Sequence, residues 1–591
     1  MFTANRNKAA VDDFYTLLKS KKAYSDDDFT PDSSAVYWSD IDTVASDDQE
    51  LKTPLKWERA GKLGGGRTLF GKGISPDDAI QGQVGNCWFI AAASSVAEVP
   101  GRLEKTFLNT DTKLNEAGIY AVNLYTLGVP HTVIVDDYVA RVEEAKWVNN
   151  FAKMGFDKSM WGTILEKAYA KSVGNYLHTS GGVMAYGVKA LTGAPYESHM
   201  HSEIKVDALW TELTSHDGKN DIINAGTAGT NHNIKVANGL AMGHAYTVLG
   251  THKLSNGVRL VKMRNPWGAE DYKGAWSDND SKWTDALAKE VGLVKNKKDG
   301  VFYISVEDFK TSFDETQVSF DTTGMKHAYF LRLNDDGTKA DQCDASRKGP
   351  KCHRHVLNIT SEVAQTVWIT AHTWDVRTLP KKCQTNKGMH YVSTSDMMPE
   401  MIEFNSGDLE MEKIEMTAGQ TITFTGDWNW LDANYSNDWS VTVWGSKGNV
   451  TVTHKNGLPS DKLPYIEPAT TAGGSTGGGS TGGGANGGGA TDGGKTDDTK
   501  KDDAKKDDTK KDDGKKDDGK KDDAKKDDGK KDGDESNDGF DDDSSDFDES
   551  DDEYGDEYGD EYGEEYGDEH GDGCCEECGD GCGEEYDDED Y

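Results

Sequence analysis

The sequence changes character at residue 469, and this change confines the folded structure to the residues before it. A glycine-rich run, ATTAGGSTGGGSTGGGANGGGATDGG, is followed by a repeated KKDD unit and then by GDEYGDEYGDEYGEEYGDEH. Such segments cannot bury enough apolar surface to offset the entropy that a chain loses on folding. We therefore predict a disordered acidic tail over residues 469–591, with a flexible linker at its start.

The net charge of −41 is concentrated in this tail. Residues 534–591 contain 30 acidic residues and no Lys or Arg, so the remaining chain carries a net charge of only −11. A mildly acidic folded region lacks the basic surface that neutralises phosphates, and we do not expect nucleic acid as a partner. The tail itself is suited to docking on basic partners.

The N-terminus, MFTANRNKAAVDDFYTLLKSKK, has no apolar core of the kind found in a secretory signal. No run approaches the ~18 apolar residues of a membrane span. We therefore expect a soluble, intracellular, cytoplasmic protein whose cysteines are thiols rather than disulfides. The spacing of Cys343, Cys352 and Cys383 does not match CxxC zinc motifs, so a zinc site formed by these thiols is not expected.

Two folded regions precede the tail and follow an N-terminal segment, residues 1–21. Residues 22–320 alternate helix-like and strand-like apolar segments, which predicts an α+β domain large enough to bury a core. Residues 325–458 consist of short alternating runs separated by turn residues, a pattern typical of an antiparallel β-sandwich. The clearest helix-like segments are 88–98 and 161–173, and the clearest strand-like ones in the first region are 119–128, 131–139 and 244–254.

The stretch QGQVGNCWFIAAASSVAEVP contains Cys87, the only cysteine in the first 342 residues. Asn86 is a residue type that caps helices, and the run after Cys87 is a good helix former that ends at Pro100. The thiol would then lie at a helix N-terminus, where the helix dipole favours the nucleophilic thiolate. The alternative is a buried structural cysteine packed against Trp88 and Phe89.

A cysteine nucleophile needs a base, and the base needs a partner that orients it. His244 follows a glycine at the start of a strand-like run, in NGLAMGHAYTVLG. Asn265 follows another strand-like run, in LVKMRNPWG. The order Cys87, His244, Asn265 is that of papain-like enzymes.

The flanking motifs make this likeness more specific. The calpain family carries Gln-Gly-x-x-Gly-Asp-Cys-Trp, Gly-His-Ala-Tyr and Asn-Pro-Trp-Gly, and this chain has QGQVGNCW, GHAY and NPWG in that order. Further agreement lies in LKWERAGKL, WGTILEKAYAK and KGAWSD. Residues 22–320 thus resemble the calpain protease core, which implies a two-lobed papain-like fold with lobes at 22–200 and 201–320. By position, the sandwich resembles the family's C2-like domain, and no EF-hand pattern is present.

The resemblance implies a role for each matching residue. Cys87 is the expected nucleophile, His244 the expected base, Asn265 its orienting partner and Gln81 an oxyanion donor. Three further positions match residues that meet the substrate or cover the Asn–His hydrogen bond, and these are Gly182, Gly243 and Trp267. For Trp267, ordinary core packing is the alternative.

The resemblance also implies two calcium ions, one in each lobe, held by oxygen ligands. Each site lacks one expected carboxylate, because Ser159 and Val301 stand where the family has glutamate. Asp157 lies two residues before Ser159, the position of the missing carboxylate in the first lobe. We expect Ca²⁺ as an activator whose binding is weakened or altered. The residues that match the family's ligands are Gly73 and Asp78 in the first lobe and Asp271, Asp278 and Asp299 in the second.

The resemblance therefore implies a calcium-regulated cysteine endopeptidase that acts on protein substrates. A catalytically weak calpain-like regulatory or calcium-binding scaffold protein is the main alternative, although such proteins usually lack one of the three catalytic residues. A transglutaminase would share the cysteine and histidine but would use an aspartate as the third member.

Overall fold

The structure of the protein is a computed structural model. It describes residues 8–39, 42–44, 51–52, 54–142, 151–229, 235–236, 238–269, 272–296, 298–343, 351–375, 390–394, 398–404, 406–430 and 437–468. The tail predicted for residues 469–591 lies outside these ranges.

The helices of the described chain are α1 (Lys8–Ser20), α2 (Cys87–Ala97), α3 (Trp161–Val173), α4 (Met184–Thr192), α5 (Val206–Asp217), α6 (Asp285–Val291) and α7 (Val306–Ser312). The strands before residue 320 are β1 (Leu55–Arg59), β2 (Ile119–Thr126), β3 (Val129–Asp136), β4 (Tyr138–Val142), β5 (Tyr196–Met200), β6 (Ile222–Gly226), β7 (Ala245–Lys253), β8 (Arg259–Arg264), β9 (Val301–Ser305) and β10 (Glu315–Ser319). The strands after it are β11 (Lys326–Arg332), β12 (Lys351–Ser361), β13 (Gln365–Thr373), β14 (His390–Thr394), β15 (Met398–Phe404), β16 (Asp408–Met416), β17 (Thr421–Trp430), β18 (Trp439–Gly445) and β19 (Val450–His454).

The first core is built around α2, which is buried on nearly all sides. Its sequence, CWFIAAASSVA, combines large side chains with alanines that let α3, α4 and the β2–β3 hairpin approach closely. A helix this apolar has no solvent-facing stripe, which is the pattern of a central helix rather than of a surface helix.

The second core lies on a six-stranded antiparallel sheet with the order β5-β10-β6-β7-β8-β9. Helices α5 and α7 cover this sheet and contribute Leu209, Leu213 and Phe309 to the core. Strand β7 pairs with β8 in antiparallel register, with Thr247 opposite Arg264. The start of β7 and the end of β8 therefore lie side by side, at the edge of the sheet that is formed by strand ends rather than by an outer strand.

The third core lies between two antiparallel sheets with the orders β11-β18-β13-β16 and β15-β14-β17-β12-β19. Alternate residues of each strand point into this core, as β-strand geometry requires. Phe330 and Val441 come from the first sheet, and Leu357 and Phe424 come from the second.

The chain after the sandwich returns to the β2–β3 hairpin. Thr132 of β3 donates its main-chain N–H to the carbonyl of Pro464 at 2.8 Å, and Ile466 donates its N–H to Thr132 Oγ1 at 2.8 Å. Leu463 is buried beside Leu127 and Val129 of the hairpin. Residues 459–468 therefore belong to the folded part of the chain.

The structure confirms the predicted fold class: an α+β core followed by an antiparallel sandwich. Helix α3 has the predicted bounds, and α2 begins one residue earlier than the predicted segment. No helix among the described residues combines the length and apolar character needed to cross a lipid bilayer. The domain boundaries stay a prediction.

The cysteines of the sandwich differ from the expectation of free thiols, because Cys343 and Cys352 form a disulfide. Asp341 pairs with Arg354 in an antiparallel bridge, and this register sets Cys343 opposite Cys352, with Cα atoms 6.0 Å apart. The disulfide joins Cys343, before β12, to Cys352 at the start of β12, and no sequence pattern predicted it.

Candidate active site

Cys87 lies at the start of α2, and α2 packs on strand β7. Thr247 of β7 donates its hydroxyl to the carbonyl of Ala91 in α2 at 2.8 Å. The Cys87 thiol faces the main-chain N–H of Ala245, the residue that directly follows His244. One helix-on-strand contact thus brings the cysteine to the edge of the sheet that carries the histidine.

His244 and Asn265 meet at this edge because one precedes β7 and the other follows β8. His244 Nε2 donates to Asn265 Oδ1 at 2.9 Å, and both side chains are buried. The main-chain N–H of Asn265 donates to the carbonyl of Gly300, the residue directly before β9, at 2.9 Å, which holds the asparagine backbone in place. Since Nε2 is held by Asn265, Nδ1 is the nitrogen suited to exchange a proton with the thiol.

Trp267 covers the His244–Asn265 pair. Its ring centroid lies 4.4 Å from that of His244, and its main-chain N–H donates to Asn265 Oδ1 at 3.1 Å. The indole is half-buried. A covering role for Trp267 stays a prediction.

Burial raises the pKa of the Cys87 thiol above its ordinary value. The main-chain N–H groups of Ala245, Trp88 and Cys87 lower that pKa, but not enough to offset burial. The N–H groups at the start of the helix thus act in the direction expected of a helix N-terminus, but burial has the larger effect and the pKa of the thiol is raised. A protonated His244 would be needed to complete the stabilisation of the thiolate.

Asn86 occupies the N-cap position of α2, but its side chain makes no cap hydrogen bond, so the predicted capping role is wrong. The side chain instead turns inward, and Nδ2 donates to Glu166 Oε1 of α3 at 2.7 Å. The reason is the buried carboxylate of Glu166, which needs donors more than the helix end does.

Gln81 lies in the loop that leads into Cys87 and is buried. Its Nε2 donates to the carbonyl of Val84 at 2.8 Å, which uses one of the two amide hydrogens. A role for Gln81 toward an oxyanion stays a prediction. The main-chain N–H of Gln81 donates to the carbonyl of Pro266 at 2.9 Å. This bond ties the loop before the cysteine directly to the Asn265–Gly268 motif.

The two glycines expected at the substrate have different surroundings. A Cβ at Gly182 would lie 2.2 Å from the Trp88 ring, so packing alone excludes a side chain there. Gly243 has a φ of +53°, a conformation that side chains disfavour, and its N–H donates to the carbonyl of Ala228 at 2.8 Å. A role for either glycine toward substrate stays a prediction.

Comparison with known proteins agrees with this geometry. A family model described as calpain family cysteine protease matches residues 24–319, which is half of the chain. The chain belongs to the calpain family of cysteine proteases. The match spans Cys87, His244 and Asn265 and ends before the sandwich.

Several curated calpains are similar to this chain. Calpain-12 of Homo sapiens is 33% identical over 277 residues, which cover 46% of this chain and 38% of that protein. Calpain-type cysteine protease ADL1 of Oryza sativa subsp. japonica is 30% identical over 311 residues, or 50% of this chain and 14% of the rice protein. Calpain-5 of Caenorhabditis elegans is 26% identical over 386 residues, or 57% of each chain. The chain thus spans less than two thirds of the length of these relatives.

The first calcium site expected of a calpain can be compared with the oxygen atoms around Asp78. Burial and the charge of Asp157 raise the pKa of Asp78 to about 6, and the buried Ser159 Oγ has no hydrogen-bond partner among the described residues. The main-chain N–H of Lys72 donates to Asp157 Oδ2 at 2.6 Å, which holds the turn with Gly73 beside it. These oxygens fit a hard cation, which would relieve the repulsion between the two carboxylates.

The second expected calcium site is described only in part, because Asp271 lies outside the described residues. Asp278 and Asp299 are linked through Asn296, whose N–H donates to Asp278 Oδ2 at 2.8 Å and whose carbonyl accepts the N–H of Asp299 at 3.3 Å. The Asp299 carboxylate accepts the N–H of Val301, the residue at the glutamate position, at 2.9 Å. Both carboxylates are thus near one loop, and a cation site there stays a prediction.

Asp335, His353 and His355 form the one tight group of metal-ligand side chains found in the described part of the chain. Hydrogen bonds within the sandwich already engage ligand atoms of this group. The N–H of Asn456 donates to His454 Nδ1 at 3.1 Å, so the proton of His454 lies on Nε2 and points at His355 Nδ1, 3.0 Å away. The proton of His355 then lies on Nε2, 2.9 Å from Asp335 Oδ2. A metal would have to displace it, so we assign this group to the stability of the sandwich.

Two buried charged residues near the site, Arg264 and Glu166, were not predicted from the sequence to have a role. Arg264, directly before Asn265, donates to the carbonyl of Asp77 at 2.8 Å and so joins β8 to the turn that carries Asp78. Glu166 lies in the WGTILEKAYAK motif and binds Asn86. The sequence could have pointed to both residues, because each lies in or beside a motif shared with the family. Their hydrogen-bond partners become visible only in the structure.

Proposed function

We propose that this chain is a calcium-regulated cysteine endopeptidase that hydrolyses internal peptide bonds of proteins. The observation that supports the proposal most is the His244–Asn265 hydrogen bond of 2.9 Å at the sheet edge against which the start of α2 places Cys87. A nucleophile, a base and an orienting group are thereby supplied by three separate segments.

The reaction follows from the roles of these groups. His244 Nδ1 accepts the thiol proton, and Cys87 Sγ attacks the scissile carbonyl carbon to give a tetrahedral oxyanion. Collapse of this intermediate breaks the C–N bond, the imidazolium donates its proton to the leaving amine, and a thioester remains. Water deprotonated by His244 then attacks the thioester, and collapse of the second oxyanion releases the acid product and the thiol.

The oxyanion is stabilised by hydrogen-bond donors that lie beside Cys87. The main-chain N–H of Cys87 at the helix start is one donor, and the free amide hydrogen of Gln81 is the second. Asn265 holds the imidazole in the tautomer that leaves Nδ1 facing the thiol. Trp267 keeps water away from this hydrogen bond, which strengthens it in the less polar surroundings.

Calcium regulation is proposed from the first-lobe site. Asp78 and Ser159 would supply oxygen ligands, and Asp157, whose main-chain N–H lies 3.5 Å from Asp78 Oδ1, adds a second negative charge beside them. Bound calcium would neutralise this acidic cluster. Asp77, the neighbour of Asp78, is bonded through its carbonyl to Arg264, so a change in this turn reaches the segment with Asn265 directly.

A catalytically weak, calpain-like regulatory protein is the second candidate. It is favoured by the burial that raises the pKa of the Cys87 thiol, because a raised pKa disfavours the reactive thiolate.

Cleavage of casein by the purified full-length chain, measured with Ca²⁺ and with chelator, tests the proposal. We expect cleavage in Ca²⁺, and we expect Cys87→Ala and His244→Gln each to lower kcat by at least about a thousandfold, since a triad fails when one member is lost. Asp78→Asn should raise the Ca²⁺ concentration needed for half-maximal cleavage.

The matched control is His252→Gln, since His252 lies in β7, the strand that follows His244, and is not part of the triad; this variant should cleave at nearly the wild-type rate. A wild-type chain that leaves casein intact at every Ca²⁺ concentration would favour the regulatory candidate. Cleavage that persists in Cys87→Ala would refute the assignment of the nucleophile.

A further inference from the structure

A pocket lies between the protease region and the sandwich, beside the residue that follows the nucleophile. Its wall includes Trp88 and Tyr186 from the protease region and Trp374, Asp375 and Asp408 from the sandwich. Its volume is about 730 Å³, counting the part that is open to solvent, which is within the range of pockets that take small ligands. We call it the sandwich pocket.

Two hydrogen bonds attach the sandwich pocket to the loop that carries the nucleophile. The main-chain N–H of Gly181, an exposed residue of the pocket wall, donates to the carbonyl of Gly85 at 2.9 Å. Trp88, the residue after Cys87, donates Nε1 to the carbonyl of Thr179 at 2.9 Å. Three extended residues span about 10 Å, so a peptide held at Cys87 can place a side chain in this pocket a few residues from the scissile bond.

Aromatic rings form much of the pocket wall. Trp88, Tyr169 and Tyr186 line it from the protease side, and Trp374 lines it from the sandwich side. Tyr186 and Trp374 are half-buried, whereas the other two rings are buried. Trp374 Nε1 donates to Asp438 Oδ2 at 2.9 Å, which holds the indole in place. Such rings attract a cation that lies over their faces, and a guanidinium group also stacks on them.

The charged residues in and next to the wall leave the pocket negative. Lys189 Nζ lies 3.0 Å from Asp408 Oδ2 and also contacts Glu410, so two carboxylates compensate the lysine. His372 Nδ1 lies 2.6 Å from Asp408 Oδ1 and adds at most one positive charge. Because Asp375 contributes a third carboxylate, the negative charges outnumber the positive ones in either protonation state of His372. The pocket therefore suits a cationic ligand rather than an anionic one.

Asp375 brings a carboxylate next to one of the half-buried rings. A Cβ at Gly407 would lie 3.4 Å from Tyr186 Oη and 3.9 Å from the Cβ of Asp375, so both side chains lie against the same glycine. His178, another residue of the wall, has its Nε2 2.9 Å from Asp42 Oδ1, and this pair adds no net positive charge. A cation in the pocket would thus meet a carboxylate and an aromatic ring together.

We propose that the sandwich pocket binds the cationic side chain of an arginine or lysine in the substrate and so directs cleavage to bonds a few residues from a basic residue. Asp375 is then a specificity-determining residue, because its carboxylate pairs with the cation while Tyr186 and Trp374 contact the side-chain stem. The inference rests on the proposed protease function and adds a substrate preference to it.

Cleavage of a library of short random peptides by the full-length chain, read by mass spectrometry of the fragments, tests this preference. We expect arginine and lysine to be enriched about tenfold at one position within about four residues of the cleaved bond, since an exposed ion pair and a cation–π contact each contribute about threefold. Asp375→Asn should lower the enrichment to about threefold, the part that the rings supply. Asp375→Lys should deplete basic residues at the same position.

Asp336→Asn is the matched control, because Asp336 is an aspartate of the sandwich that lies outside the pocket wall and whose side chain is 69% exposed. This variant should keep the full enrichment. The melting temperature of each variant establishes that it is folded. A wild-type profile without basic enrichment, or one that both substitutions of Asp375 leave unchanged, would overturn the inference.

A second measurement separates the inference from the proposed function. Saturation-transfer NMR of Nα-acetyl-arginine methylamide, with the neutral citrulline analogue beside it, reports binding to the full-length Cys87→Ala chain without any cleavage. The arginine signal should exceed that of citrulline and should fall about threefold when Asp375→Asn is added, but not when Asp336→Asn is added. Binding to the acidic tail is common to all of these chains and does not alter the comparison.

The two proposals can therefore fail independently. An arginine signal that depends on Asp375, in a protein whose wild type cleaves no substrate, would support the cation pocket while the protease proposal fails. An arginine signal that is the same with and without Asp375→Asn would overturn the inference, even if the wild type cleaves casein.

Discussion

Glu166 links the ionisation of one residue to the stability of the whole core. Burial raises its pKa to about 7 in the folded chain, against an ordinary value of 4.5. Between these values the folded chain binds one proton more than the unfolded chain, so the free energy of unfolding decreases as pH rises. Glu166→Gln lacks this proton. We therefore expect the melting temperature of Glu166→Gln, relative to the wild type, to rise by about 2–5 °C from pH 5 to pH 8.

Glu116→Gln provides the control for that measurement, since the Glu116 side chain is 69% exposed and its loss should not change the relative melting temperature across the same range. A constant difference between Glu166→Gln and the wild type at all pH values would contradict the raised pKa of Glu166.

Residue-level prediction succeeded where motifs carry the information. The position of Cys87 at a helix start and the approach of His244 to Asn265 agree with the sequence, because each residue lies next to a strand or helix with a clear pattern. The predicted cap at Asn86 failed. Capping preference is a local property, whereas the competing acceptor, Glu166, lies 80 residues further along the chain.

At the scale of elements, α4 is joined to strand β16 of the sandwich by a buried ion pair. Lys189 Nζ lies 3.0 Å from Asp408 Oδ2 and also contacts Glu410, and Lys189 is 4% exposed. Removing the lysine leaves two neighbouring carboxylates without their cation. Lys189→Met should therefore destabilise the chain by about 3–5 kcal/mol, seen as a lower urea midpoint.

Lys413→Met is the matched comparison, since Lys413 of β16 also reaches the protease region but does so at the surface. Its Nζ lies 3.0 Å from Glu197 Oε1, and the two side chains are 53% and 36% exposed. An exposed pair contributes at most about 1 kcal/mol, so this variant should unfold near the wild-type midpoint. Equal effects of the two substitutions would mean that the Lys189 pair is not a buried link.

Elements with strong periodicity were predictable one by one, and their partners were not. The bounds of α3 follow from its apolar spacing, and the strands β12, β13 and β17 follow from their alternation. The sheet order β5-β10-β6-β7-β8-β9 has no counterpart in local sequence, because hydrogen bonds between distant strands are formed by main-chain groups that every residue shares.

For the whole molecule, the segment after the sandwich predicts where the chain can be shortened. A chain ending at residue 468 keeps Leu463, the bond from the Thr132 N–H to the carbonyl of Pro464 and the bond from the Ile466 N–H to Thr132 Oγ1, whereas a chain ending at residue 458 loses them. Burial of Leu463 alone contributes about 1.5–3 kcal/mol. We expect the shorter chain to melt about 5 °C or more below the longer one, while the longer one cleaves casein at the full-length rate.

Equal melting temperatures of the two truncated chains would show that residues 459–468 do not stabilise the fold. Loss of cleavage in the chain that ends at residue 468 would instead give the acidic tail a part in activity, against the expectation from its composition.

The chemistry that this chain can offer, and the elements that carry it, follow from local sequence. The positions of Cys87, His244 and Asn265 within their motifs, and the periodicities around them, depend on neighbouring residues. Three pairings depend instead on the folded chain: Asn86 binds Glu166 rather than its own helix, Cys343 meets Cys352, and Lys189 pairs with β16. Each of these depends on which polar groups become buried together, because burial away from water makes an unpaired charge or donor costly and so selects its partner.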